Sequence, residues 1–179
     1  RFDCELYTVD EPRRPIADCK ETATHFLFEN EWIQAAVSKK SGLLDRYCVD
    51  GTEYLKEQSA QIRVYEDNED PWRMQTDGFY RQIGAFTLAG KEEANAFNGY
   101  PEEAAENVRV TENGDVITRI QATFQYARSY AVVTYTFYKR DAYVDIKVKL
   151  YSNDVNKMYK LAFPTTFTDS RFEGQQAFG

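Results

Sequence analysis

The stretch YEDNEDPWRMQTDGFY, residues 65–80, holds five carboxylates and four aromatic rings in sixteen residues. Two kinds of chemistry suit those residue types. A pair of Asp or Glu side chains across a sugar ring can run glycoside hydrolysis, one as acid and the other as base or nucleophile. Glu66, Asp67, Glu69, Asp70 and Asp77 qualify by type. Rings such as Tyr65, Trp72, Phe79 and Tyr80 can stack on the apolar face of a pyranose while Asp67, Asp70, Arg73 and Asp77 bind its hydroxyls. A plain polar loop with one anchoring Trp is the stronger reading by residue type alone, because connecting segments are polar and often carry one buried aromatic. Calcium fits less well, since calcium loops space their oxygen ligands around a Gly-enabled turn and here Pro71 and Trp72 occupy the middle.

Other reaction centres lack their parts. His25 is the single histidine, set among Phe26, Leu27 and Phe28. Zinc sites need several His, Cys or carboxylate donors in tetrahedral array, so a structural or exposed histidine is expected and no metal site. The same count argues against Ser-His-Asp and Cys-His catalysis, and there is no G-x-S-x-G elbow or Gly-rich phosphate loop. Cys4, Cys19 and Cys48 are odd in number and widely spaced, which fits reduced thiols better than a disulfide framework, with a Cys4 to Cys19 bridge left open. That leaves the carboxylates of residues 65–80 as the remaining catalytic candidates by type.

The elements that would position these residues are strands. YVDIKVKLY puts Val144, Ile146, Val148 and Leu150 on one face and Asp145, Lys147 and Lys149 on the other. SYAVVTYTFY alternates Ala131, Val133, Tyr135 and Phe137 against the opposite set, with KRD as a tight link to the next strand. RIQATFQY aligns Ile120, Ala122, Phe124 and Tyr126. FLFENEWIQAAV and LLDRYCV read as two strands joined through KKSG and closed by an Asp-Gly turn, and YKLAFPTTF as a strand interrupted at Pro164. Residues 1–24, where Pro12 and Pro15 flank Arg13 and Arg14, read as an entry linker. Residues 25–179 read as one all-β domain, an antiparallel β-sandwich with few or no helices. Only EEAAENV, in the acidic, turn-rich excursion before the RIQATFQY strand, offers a short helix.

A chain of 179 residues with 42% apolar content can bury one substantial core. Its net charge of -7 opposes the phosphate neutralisation behind nucleic-acid binding, and no apolar run approaches membrane-spanning length. Neither nucleic acid nor membrane is an expected partner. The chain starts RFDCELY and stops at GQQAFG, and it reads as an excerpt of something longer.

Several segments, in order, resemble the C-terminal β-sandwich region of glycoside hydrolase family 38 α-mannosidases. FLFENEWIQAAVSKKSGLLDRYCVDGTEYL is similar to the entry of that region, and RVYEDNEDPWRMQTDGFY to its acidic, Trp-containing segment in bacterial members. SYAVVTYTFYKRDAYVDIKVKLYSNDVNKMYKLAFPTTF resembles its strand pair and Leu-Ala-Phe-Pro segment, and FEGQQAFG the stretch that follows. Two departures mark a divergent member: Arg73 to Thr76 stand where Trp-Asp-x-Trp-Asp is usual, and a Trp is absent near Val155.

The resemblance implies a galactose mutarotase-like supersandwich, belonging to a cytoplasmic, zinc-dependent, retaining exo-α-mannosidase. The zinc ligands and nucleophilic Asp would come from an N-terminal barrel outside this chain. The barrel, a helical domain and the mannoside substrate are the implied partners. Tyr65, Asp67, Asp70, Trp72, Arg73, Asp77 and Tyr80 would form an interdomain contact or a sugar contact. A carbohydrate-binding module is the alternative, and a mutarotase-type epimerase ranks last.

Overall fold

The computed structural model describes residues 19–56, 58–68, 72, 79–101, 104–169, 171, 173 and 174. Along the chain run β1 (Cys19–Glu21), β2 (His25–Glu29), β3 (Ile33–Ser38), β4 (Leu44–Val49), β5 (Thr52–Glu53), β6 (Gln61–Glu66), β7 (Gln82–Ala85) and β8 (Thr87–Leu88). Then follow α1 (Lys91–Asn98), β9 (Val108–Asn113), β10 (Ile117–Tyr126), β11 (Ser129–Tyr138), β12 (Val144–Tyr151) and β13 (Lys157–Ala162). The fold is all-β and sandwich-like, and every strand pairing is antiparallel.

Strands β1 to β5 form a meander in chain order. A second sheet runs β12, β11, β10, β8, with β9 also on β10, and a third runs β13, β6, β7. The first strand begins at Cys19, inside the stretch read from sequence as a linker. FLFENEWIQAAV is two strands rather than one. Asn30 makes the turn between them: its Oδ1 accepts the Trp32 and Ile33 amides, and its Nδ2 donates to the carbonyls of Tyr138 and Asp141. One polar side chain thereby closes the β2–β3 hairpin and ties it to the β11–β12 link. The Asp50-Gly51 turn forms as read, both residues having positive φ, as a primed hairpin turn requires.

The core lies where the first and second sheets face each other. Phe28 stacks on Phe137 with ring centroids 5.0 Å apart. Ile120, Ala122, Ala131, Val133, Tyr135 and Phe137 are all fully buried, as their period-two pattern dictates. Tyr135 donates its hydroxyl to the Gly42 carbonyl at 3.0 Å across the interior, so the largest buried polar group is satisfied. Burial raises its pKa above the usual phenol value, with the charge of Asp45 adding to the effect.

β12 corrects its expected burial in part. Val144, Ile146 and Val148 are half-buried against the core while Asp145, Lys147 and Lys149 are exposed. Leu150 is 41% exposed. β12 is the outermost strand of its sheet, and only its first three inward side chains reach the opposing layer. The helix also falls elsewhere than expected, at Lys91–Asn98, with Gly99 closing it in the left-handed conformation. The described part of EEAAENV, residues 104–108, holds bends and the first residue of β9.

Candidate functional site

β6 and β7 deliver the two ends of the carboxylate-rich segment. Tyr65, in β6, pairs with Met158 of β13 and Gln82 of β7, and the Lys160 ammonium sits 4.4 Å from its ring centroid. Asp67 follows the strand, its amide bonded to the Asn156 carbonyl and its Oδ1 accepting the Asn68 amide. The first bond fixes the Asp67 main chain and the second turns its carboxylate onto the next amide at the root of the loop. Glu66 pairs with Arg81 at 3.2 Å, an exposed ion pair that bridges the two loop ends.

Trp72 is 95% exposed and Tyr80 77% exposed. The Trp72 ring is therefore not buried against this domain, as an anchoring ring was expected to be. At the ends of the segment Lys160 Nζ, which sits over the Tyr65 ring, also donates to the Phe79 carbonyl at 2.9 Å. Asp70, Arg73 and Asp77 lie outside the described residues. Of the predicted set, Tyr65 and Asp67 come together at the end of β6, and Trp72 and Tyr80 face solvent.

His25 is structural in its contacts. Its Nε2 lies 3.1 Å from Asp45 Oδ2 and its Nδ1 2.8 Å from Thr24 Oγ1, while Asp45 Oδ1 accepts the Gln58 amide. Asp45 sits where the β3–β4 register shifts, so the histidine secures a bulge. Among the described residues no group of three or more His, Cys, Asp or Glu side chains is placed to hold a metal ion. Cys19 and Cys48 carry free thiols, and burial raises the Cys19 pKa. No helix among the described residues is long and apolar enough to cross a membrane.

Sequence reasoning missed a polar trough of about 860 Å³ on the outer face of β10, β11 and β12. Register builds its floor in cross-strand rows: Arg119, Thr136 and Asp145 form one, Gln121, Thr134 and Lys147 the next, and Val132 and Lys149 a third. Polar alternation in each strand was visible, but the rows unite residues far apart in the chain. α1 closes one end. Asn95 holds the helix by bonds to the Lys91 and Ala105 carbonyls, Asn98 Nδ2 donates to Thr123 Oγ1, and Phe97 stacks on Tyr130 at 4.4 Å. Arg109 stacks on Tyr100 at 4.6 Å and donates to Gln121 Oε1 at 3.0 Å. At the other end Tyr138 donates its hydroxyl to Asp145, which pushes the phenol pKa up to about 12.

A search of curated proteins found no match. The family model described as the glycosyl hydrolases family 38 C-terminal domain matches residues 28–179, which takes in both surfaces and nearly all of the sandwich. The chain belongs to glycosyl hydrolase family 38, as its C-terminal domain.

Proposed function

We propose that this domain is the non-catalytic β-sandwich of a zinc-dependent, retaining α-mannosidase of the bacterial cytoplasm that hydrolyses terminal α-mannosyl linkages. The observation that carries the reading is the family match over residues 28–179. A catalytic barrel and a helical domain of the same longer protein are its partners, and the barrel holds the zinc and the nucleophile. Zinc does not fit the described residues of this chain, because the single histidine is spent on Asp45 and Thr24 and no donor cluster accompanies it.

The domain's own part is mechanical. An apolar groove of about 540 Å³, lined among others by Tyr47, Val49, Tyr143, Phe163 and Phe167, opens between β4 and β12. Phe163 is 40% and Phe167 56% exposed. Contiguous apolar surface of this kind is what a neighbouring domain covers, so it supports a buttressing role. The 65–80 segment is the part offered to the rim of the barrel's active site. Hydrolysis of an aryl α-mannoside by the longer protein, lost on chelation, together with an inactive isolated chain, is the expected result. A longer protein inert toward α-mannosides and active on another glycoside would refute the mannosidase reading.

The exposure of Trp72 and Tyr80 supports a second reading, a carbohydrate-binding module that stacks sugars on those rings. Titration with mannose and short α-mannosides, followed by Trp fluorescence and amide shifts, separates the two. Saturable binding localised to residues 65–80 and lost in Trp72→Ala without unfolding would establish the module. Its absence leaves the rim contact.

A further inference from the structure

We infer that the trough on the outer face of β10, β11 and β12 is a binding site for an anionic saccharide, a sugar carrying a phosphate, sulfate or carboxylate group. The inference is independent of the mannosidase reading and concerns a different surface from the 65–80 segment.

Charge is the first ground. The whole chain carries a net charge of -7, yet Arg119, Lys147 and Lys149 line the trough against a single lining carboxylate, Asp145. That carboxylate already accepts the Tyr138 hydroxyl. Arg119 is paired with Glu112, whereas Lys147 and Lys149 make no ion pair among the described residues. Spaced two apart on one strand, the two lysines project from the same face with Cα atoms about 6.7 Å apart, a span that lets both ammonium groups reach one oxyanion. A cationic hollow on an acidic protein concentrates anions locally and steers them in.

The floor supplies the second ground. Thr134, Thr136 and Gln121 present hydroxyl and amide groups in adjacent register positions, flanked by the Asn98 amide. Gln121 is oriented in advance, its oxygen held by Arg109 and its nitrogen 3.4 Å from Thr134 Oγ1. Such a row of donors and acceptors matches a row of sugar hydroxyls. Tyr100 and Tyr151, 46% exposed each, offer ring surface at the helix end. A volume of about 860 Å³ lies within the range of small-ligand sites and suits one or two sugar rings. An extended acidic peptide would instead add to an unpaired sheet edge or fill apolar side-chain pockets; here β12 is an edge strand, but β10 and β11 are paired on both sides and the polar groups of the trough stand on the sheet face, not along that edge.

The test is calorimetric titration of the full chain at low ionic strength with mannose 6-phosphate, glucose 6-phosphate and glucuronic acid. Mannose, inorganic phosphate and an oligoglutamate peptide are the comparisons. At least one anionic sugar should bind saturably and at least tenfold more tightly than both mannose and inorganic phosphate, and the three anionic probes identify which acid group is preferred. Lys147→Gln with Lys149→Gln should weaken that binding at least tenfold with an unchanged thermal midpoint, since both lysines are exposed. Thr134→Val, which keeps the charges, should weaken the anionic sugar and leave inorganic phosphate unaffected. Equal affinity for inorganic phosphate would reduce the trough to a patch of lysines. Equal or tighter binding of the peptide, or no binding of any sugar, would overturn the inference.

Discussion

Replacing Gly42 by alanine should destabilise the domain by far more than the same change at Gly51, although both glycines have positive φ, +72 and +79. The left-handed conformation costs an L-residue about 1–2 kcal/mol at either site. Packing separates them. A Cβ at Gly42 would stand 2.9 Å from Leu88 Cδ1, 2.9 Å from Phe124 Cζ and 3.0 Å from Ala122 Cβ, whereas one at Gly51 meets nothing within 4 Å. Two of those three neighbours, Phe124 and Ala122, are fully buried in β10, so relief means moving one sheet against the other; overpacking of that kind costs about 1–3 kcal/mol more. Displacing Gly42 also disturbs the carbonyl that accepts the Tyr135 hydroxyl. We expect a loss of about 2–5 kcal/mol for Gly42→Ala and about 1–2 kcal/mol for Gly51→Ala, measured by urea denaturation at matched m-values. Values for the two variants within about 0.5 kcal/mol of each other would refute the close contact between the β3–β4 turn and β10.

Ile146→Ala should cost about 1–2 kcal/mol, below the range for a fully buried isoleucine, because Ile146 is only half-buried on the outermost strand; a loss above about 4 kcal/mol in urea would place it in the closed core. Tyr135→Phe should cost about 1–3 kcal/mol near neutral pH by leaving the Gly42 carbonyl without its donor. It should also flatten the alkaline limb of the stability profile. The folded-state pKa of Tyr135 is raised above 10.0, so its contribution is fully present below that pH and is lost as pH rises past it, a decline the variant lacks. Parallel alkaline limbs for the two proteins would contradict the burial of that hydroxyl.

The middle of the fold was legible because β10 and β11 bury their inward faces, so alternation marks those residues even though Thr123, Val132 and Thr136 on the other faces are buried as well. It blurred at β12, where Leu150 keeps the pattern of a buried residue at a position the opposing sheet does not cover. The β2–β3 turn was hidden because Asn30 makes it through side-chain bonds to the Trp32 and Ile33 amides and to a link more than a hundred residues away, and no local propensity reports that link. α1 did announce itself, with Glu92 and Glu93 in its first turn and Gly99 at its end, but an acidic run around it drew attention to EEAAENV instead. The exposure of Trp72 was not legible, because a ring in a polar loop usually packs against the domain that carries it, and here 95% of it is exposed. The trough was illegible until register aligned Arg119, Thr136 and Asp145 side by side.

The division of labour proposed for the longer protein is tested most directly by assaying the purified chain for hydrolysis of an aryl α-mannoside, with and without added zinc, beside the longer protein that contains it. The chain alone should give no turnover under either condition, while the longer protein turns the substrate over and loses activity with a chelator. Turnover by the isolated chain that a chelator abolishes would contradict it, because residues 1–179 would then hold the metal and the catalytic groups themselves.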